Sequence, residues 1–80
     1  MKPDEIKKYL NRYGMRPDSI TGLDAEGRIV EIEITNGYWR HDHGRCRHLM
    51  AQAGYVLQDI GVTQEDGSGC FSAVHTYAKI

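Results

Sequence analysis

Side chains able to do chemistry are densest in Tyr38-Trp39-Arg40-His41-Asp42-His43-Gly44-Arg45-Cys46-Arg47-His48, which holds the chain's single tryptophan, three of its four histidines, one of its two cysteines and three arginines. Three kinds of chemistry compete for this stretch. Histidine nitrogen and thiolate both suit zinc, and His41, His43, Cys46 and His48 supply four candidate ligands. Helical geometry separates them. If residues 43–53 are helical, Cys46 turns inward with Leu49 and Met50, while His48 turns out with Arg45 and Gln52. The spacing fits neither a zinc finger nor the helical His-Glu-x-x-His pattern. A His41–His43 pair on an extended segment is the remaining metal reading, and neither a metal nor a cofactor is expected.

The second chemistry is anion binding. Arg40, Arg45 and Arg47 flank a helix start whose N–H groups favour negative charge, and Tyr38 and Trp39 offer faces on which bases stack. The third is protein recognition, because tryptophan, tyrosine and arginine dominate binding hot spots. The expected binding residues are Tyr38, Trp39, Arg40, Arg45, Arg47 and His48, with Trp39 the apolar anchor and the arginines the polar rim. A purely structural Trp39 in the core is the competing role.

Catalytic signals elsewhere are thin. Asp66-Gly67-Ser68-Gly69 has the look of a nucleophilic serine's surroundings, but a serine hydrolase also needs a base, an orienting acid and an oxyanion hole; turn chemistry explains these residues better. Cys46 falls on an apolar stripe, the position of an inert thiol, and Cys70 opens a strand. Glu31 and Glu33 alternate with apolar residues, as on a strand's solvated face. His75 alternates with Phe71, Ala73 and Tyr77, which predicts a half-buried, hydrogen-bonded imidazole. An enzyme is not expected.

The elements that must carry these residues follow from periodicity. Pro3 to Tyr13 reads as a helix, with Ile6, Tyr9, Leu10 and Tyr13 on one stripe, Gly14 as its stop and Pro17 beyond. His43 to Ala53 reads as a second helix, with Asp42 as cap, Cys46, Leu49, Met50 and Ala53 as its stripe, and Gly54 as its stop. Strands are expected at Ser19–Leu23, Arg28–Thr35, Tyr55–Thr63 and Cys70–Ile80, with turns at Asp24–Gly27 and Asn36–Gly37 and a loop at Gln64–Gly69. Val30, Ile32 and Ile34 alternate with Glu31 and Glu33, the pattern of a half-buried strand. The order α-β-β-α-β-β predicts an α+β domain, a four-stranded antiparallel sheet with both helices on one face.

Eighty residues make one small domain (1–80) with a thin core. The net charge of −1 conceals alternation: residues 1–17 carry five basic and two acidic groups, residues 18–35 one and five, residues 36–56 three and one, and residues 57–80 one and three. Basic helices and acidic strands favour a polar contact surface on the helical side over general phosphate affinity. The N-terminus lacks a continuous apolar signal region, so reduced thiols and a cytoplasmic setting are expected. No apolar run approaches the roughly 20 residues that span a bilayer, so no membrane partner is expected. Homodimerisation is a further expectation open to a thin core with sheet edges.

Gly67-Ser68-Gly69-Cys70-Phe71-Ser72-Ala73-Val74-His75, preceded by a helix and a strand, resembles part of the type I-E anti-CRISPR proteins. The likeness rests on Gly67, Ser68, Gly69, Phe71, Ala73 and His75. It implies an inhibitor from a phage or mobile element that occupies a surface of a CRISPR effector, without chemistry or cofactor. The first helix, Arg28–Thr35 and Trp39–His48 have no counterpart, so no contact residue carries over. The overall expectation is a small binding protein that docks on a larger protein or nucleoprotein as an inhibitor or accessory subunit. A nucleic-acid-binding module using segment 38–48 is the alternative, and metal binding a third.

Overall fold

The computed structural model describes residues 1–36, 42–65 and 71–80, with the side chains of residues 36, 42, 43, 62–65 and 71 outside that description. Its elements run α1 (Pro3–Arg12), β1 (Ser19–Gly22), β2 (Ile29–Asn36), α2 (Asp42–Gln52), β3 (Tyr55–Glu65) and β4 (Phe71–Lys79). The α+β order expected from the sequence is present, with boundaries moved by one or two residues. Gln64 and Glu65 extend β3 rather than joining the following loop, and α2 begins at Asp42, one residue before the expected start, while the expected cap by the Asp42 side chain lies outside the described residues. The expected tight turn at Asn36–Gly37 falls partly on residues 37–41, which lie outside the described set, as do residues 66–70.

The four strands form one antiparallel sheet in the order β1-β2-β4-β3. Because β2 and β3 each pair antiparallel with β4, they run parallel to one another, and α2 bridges them. The unit β2–α2–β3 is therefore a split crossover with β4 inserted between its strands. Directly opposite residues share a face, so the register Ile32↔His75↔Ile60 and Val30↔Tyr77↔Leu57 defines the helix-facing side.

One core joins the layers. Ile6, Leu10 and Met15 from the α1 side, Cys46, Leu49 and Met50 from α2, and Val30, Ile32, Ile34, Tyr55 and Tyr77 from the sheet are buried together. Each fully buried side chain of this size contributes about 1.5–3 kcal/mol of hydrophobic free energy. Alternation along β2 matches the sequence pattern, and the Cys46–Leu49–Met50 stripe is buried as its spacing requires. Two expectations need correction. Tyr13, placed on the apolar stripe of α1, is 51% exposed, because the helix ends at Arg12 and the ring swings outward. His75, expected to be half-buried, is fully buried beneath α2.

The helix ends are closed by specific devices. Lys2 N–H donates to Glu5 Oε1 at 3.2 Å, bridging the start of α1. Gly14 and Gly54 take φ of +79° and +89° just past the two helices, where a left-handed residue is needed. The last turn of α2 carries no basic residue of its own. Lys79 of β4 substitutes: its Nζ donates to Ala53 O at 2.7 Å and sits 5.0 Å from the Tyr55 ring centroid.

Candidate contact face

The second helix distributes the expected binding residues in different directions. Cys46 is fully buried, while Arg45, Arg47 and His48 are exposed. Arg45 and Arg47 are two residues apart, about 200° around the helix axis, and so occupy opposite flanks. His48 points outward between them, its Nε2 3.2 Å from Gln52 Nε2 one turn on. Tyr38, Trp39, Arg40 and His41 lie outside the described residues, as does the side chain of His43.

Arg45 belongs with α1. Its Nη2 donates to the Tyr13 carbonyl at 2.6 Å, satisfying a carbonyl at the end of that helix. One turn further along α2, Leu49 O accepts from Tyr9 Oη at 2.7 Å, tying the two helices from the other direction. The Tyr9 and Tyr13 rings meet edge to face, with centroids 5.4 Å apart and planes inclined at 69°. Burial, then the neighbouring Tyr13, pushes the Tyr9 hydroxyl above its ordinary pKa, so it stays a donor. Lys8 and Arg12, both exposed, border a shallow depression of about 300 Å³ beside Tyr9. The junction of α1 and α2 therefore presents the edge-to-face Tyr9–Tyr13 pair beside three cations, Lys8, Arg12 and Arg45, with Glu5 the acidic group on the rim of the depression.

Tyr9 packs against the core as its place on the apolar stripe requires, whereas Tyr13, expected on the same stripe, is exposed. The available signal was the position of Tyr13 directly before the helix-stopping Gly14, where a side chain leaves its stripe. Neither Arg45 nor Arg47 pairs with Glu31 or Glu33. Those carboxylates alternate with Val30, Ile32 and Ile34 and so lie on the sheet face opposite α2.

Beneath α2 lies a second cluster of reactive groups. His75 Nδ1 is 2.9 Å from Tyr77 Oη, and the Cys46 thiol hydrogen-bonds the same hydroxyl. All three side chains are fully buried. Burial, reinforced by Cys46, drives the Tyr77 pKa upward, against a smaller opposing effect of Arg47. The hydroxyl is held neutral as part of a core hydrogen-bond network, closed to substrate. Among the described residues no three metal-ligating side chains converge, and no helix is long and apolar enough to cross a membrane.

No protein-family model, curated protein or solved structure matches the chain.

Proposed function

We propose that this protein works by docking, without chemistry, on a larger protein or nucleoprotein through its helical side. The observation that carries the reading is the Tyr9–Tyr13 pair held at the α1–α2 junction beside Arg12 and Arg45, with His48 exposed on the outer side of α2. The Tyr9 ring, held by its hydrogen bond to Leu49 O, loses little conformational freedom on binding and supports the Tyr13 ring edge to face, and tyrosine and arginine are favoured hot-spot types. Tyr38, Trp39 and Arg40 directly precede α2 in the chain and are proposed to extend the face. Surrounding cations fit an acidic partner surface.

An inhibitor of a CRISPR effector is the form of docking protein that the resemblance of residues 67–75 implies. Ala73 and His75 within that stretch are buried in the central strand. They serve the scaffold, and the contact surface of such an inhibitor would lie elsewhere, on the helices.

A pull-down from the native host with mass spectrometry supplies a partner, and titration of the purified pair tests the face. Tyr13→Ala combined with His48→Glu is expected to weaken binding by about tenfold to a thousandfold, the range of hot-spot truncations. The circular dichroism spectrum should be unchanged, since both side chains are exposed. Wild-type affinity in the folded double variant would place the contact elsewhere.

A further inference from the structure

The sheet has a second face, and among the described residues no helix covers it. Cross-strand register lays its residues out in rows. Ile29 of β2, Ala78 of β4 and Val56 of β3 are directly opposite one another, and Leu23 N–H donates to Ile29 O at the β1 end of that row. Leu23, Ile29 and Val56 are 50%, 37% and 48% exposed, an apolar band running across the sheet. The next row is Thr21, Glu31, Thr76 and Asp59, and the one beyond it Ser19, Glu33, Val74 and Gly61. The apolar band is thus bordered by Glu31 and Asp59, with Glu33 one row further on. None of these positions is basic; Lys79 falls on the helix-facing side over Tyr55. The nearby ion pair, Arg28 with Glu26 at 2.8 Å, lies in the turn before β2.

The geometry points to a docking surface for a cationic amphipathic helix of a partner protein, its apolar stripe on Leu23, Ile29 and Val56 and its lysines or arginines on Glu31, Glu33 and Asp59. Charge selects this occupant. Rows on a sheet are spaced by two residues, roughly 7 Å, so a helix lying along the apolar band places cations on its flank within reach of the carboxylates. A second copy packed face to face would bring like carboxylates together, which association disfavours. Pairing of copies through the β3 edge is opposed by the two register shifts of that strand, between Leu57 and Asp59 and between Val62 and Gln64. This surface lies opposite the α1–α2 junction and does not depend on the docking reading given for that side.

The test uses a synthetic leucine–lysine amphipathic helical peptide, its leucine–glutamate counterpart and polylysine, with binding followed by amide chemical shifts. The leucine–lysine peptide is expected to perturb residues 29, 31, 33, 56, 59, 74 and 76, and the leucine–glutamate peptide none of them. Glu31→Lys with Asp59→Lys should weaken binding at least about tenfold, since like charges juxtaposed at an interface cost more than that factor. Val56→Ser, at an exposed edge position, should also weaken it and guards against misfolding of the charge variant. Arg47→Glu on α2 should leave it unchanged, so failure here is distinguishable from failure of the helical face. Equal shifts with polylysine, shifts confined to the helices, or sedimentation showing a dimer that Val56→Ser dissolves would each overturn the assignment.

Discussion

The guanidinium of Arg45 donates to the main-chain carbonyl of Tyr13 at 2.6 Å, so the first turn of α2 closes the end of α1. Thirty-two residues of chain separate the two groups. The bond fixes how the helices meet and, with Tyr9 Oη on Leu49 O, holds the tyrosine pair in place. Arg45 thus acts first as a clasp between helices, and any part in binding comes through the surface it organises.

Arg45→Ala should therefore cost stability before it costs affinity. Losing a charge-assisted hydrogen bond at an exposed helix terminus is expected to remove about 0.5–1.5 kcal/mol. Urea denaturation reads this as a lower midpoint at unchanged slope. An unchanged midpoint would mean the contact is not maintained in solution.

Tyr77→Phe takes a hydroxyl partner from His75 and from Cys46 inside the core, with an expected loss of about 1–3 kcal/mol. The wild-type hydroxyl also sets an alkaline limit. Burial raises its folded pKa above the unfolded value of about 10, so the stabilisation is complete below about pH 10 and is lost as pH rises toward the folded pKa. In that window stability should fall by about 1.4 kcal/mol per pH unit on account of this group. Tyr9 and Tyr55, raised chiefly by burial, act in the same direction. A denaturant series between neutral and alkaline pH, repeated on Tyr77→Phe, should show a shallower fall in the variant.

Gly27 takes φ of +72°, and a Cβ there would run into the Met1 carbonyl oxygen. Its own carbonyl accepts from Tyr55 Oη at 2.7 Å, tying the β1–β2 turn to β3. Gly27→Ala is expected to destabilise by more than about 1 kcal/mol, read as a drop in Tm. Gly44→Ala in α2, where an added Cβ meets nothing within 4 Å, is the control and should be neutral or stabilising.

Salt separates docking on protein from binding to phosphate. Counterion release makes nucleic-acid affinity fall steeply as salt rises. With mixed oligonucleotides at low salt, no retention is expected. Tight binding with a steep salt slope would instead favour a nucleic-acid module built on segment 38–48.

Much of the architecture was legible because local pattern and tertiary demand agree. Val30, Ile32 and Ile34 alternate and face the helices; Cys46, Leu49 and Met50 repeat at helical spacing and are buried; Gly14 and Gly54 stop their helices with positive φ. Strand order was not legible, since nothing local tells β2 to pair with β4 rather than β3. Nor were the register shifts in β3, which depend on a partner strand. Tyr13 misled because tyrosine suits a core and a surface alike, and the end of α1 decides between them. Arg45 was legible as exposed, but its clasp on Tyr13 required knowing how two distant helices meet. Tyr38, Trp39 and Arg40 lie outside the described residues.

The place of β4 bears on how the molecule is made. It follows β2 and β3 in the chain, yet it supplies the hydrogen bonds that join them. Until it emerges, the nascent chain holds a β1–β2 hairpin and a lone β3 with a gap between them, and α2 has no continuous floor to rest on. The sheet can therefore zip shut only once Phe71–Lys79 is free to pair, and a chain cut before Phe71 would keep two unpaired strand edges facing each other.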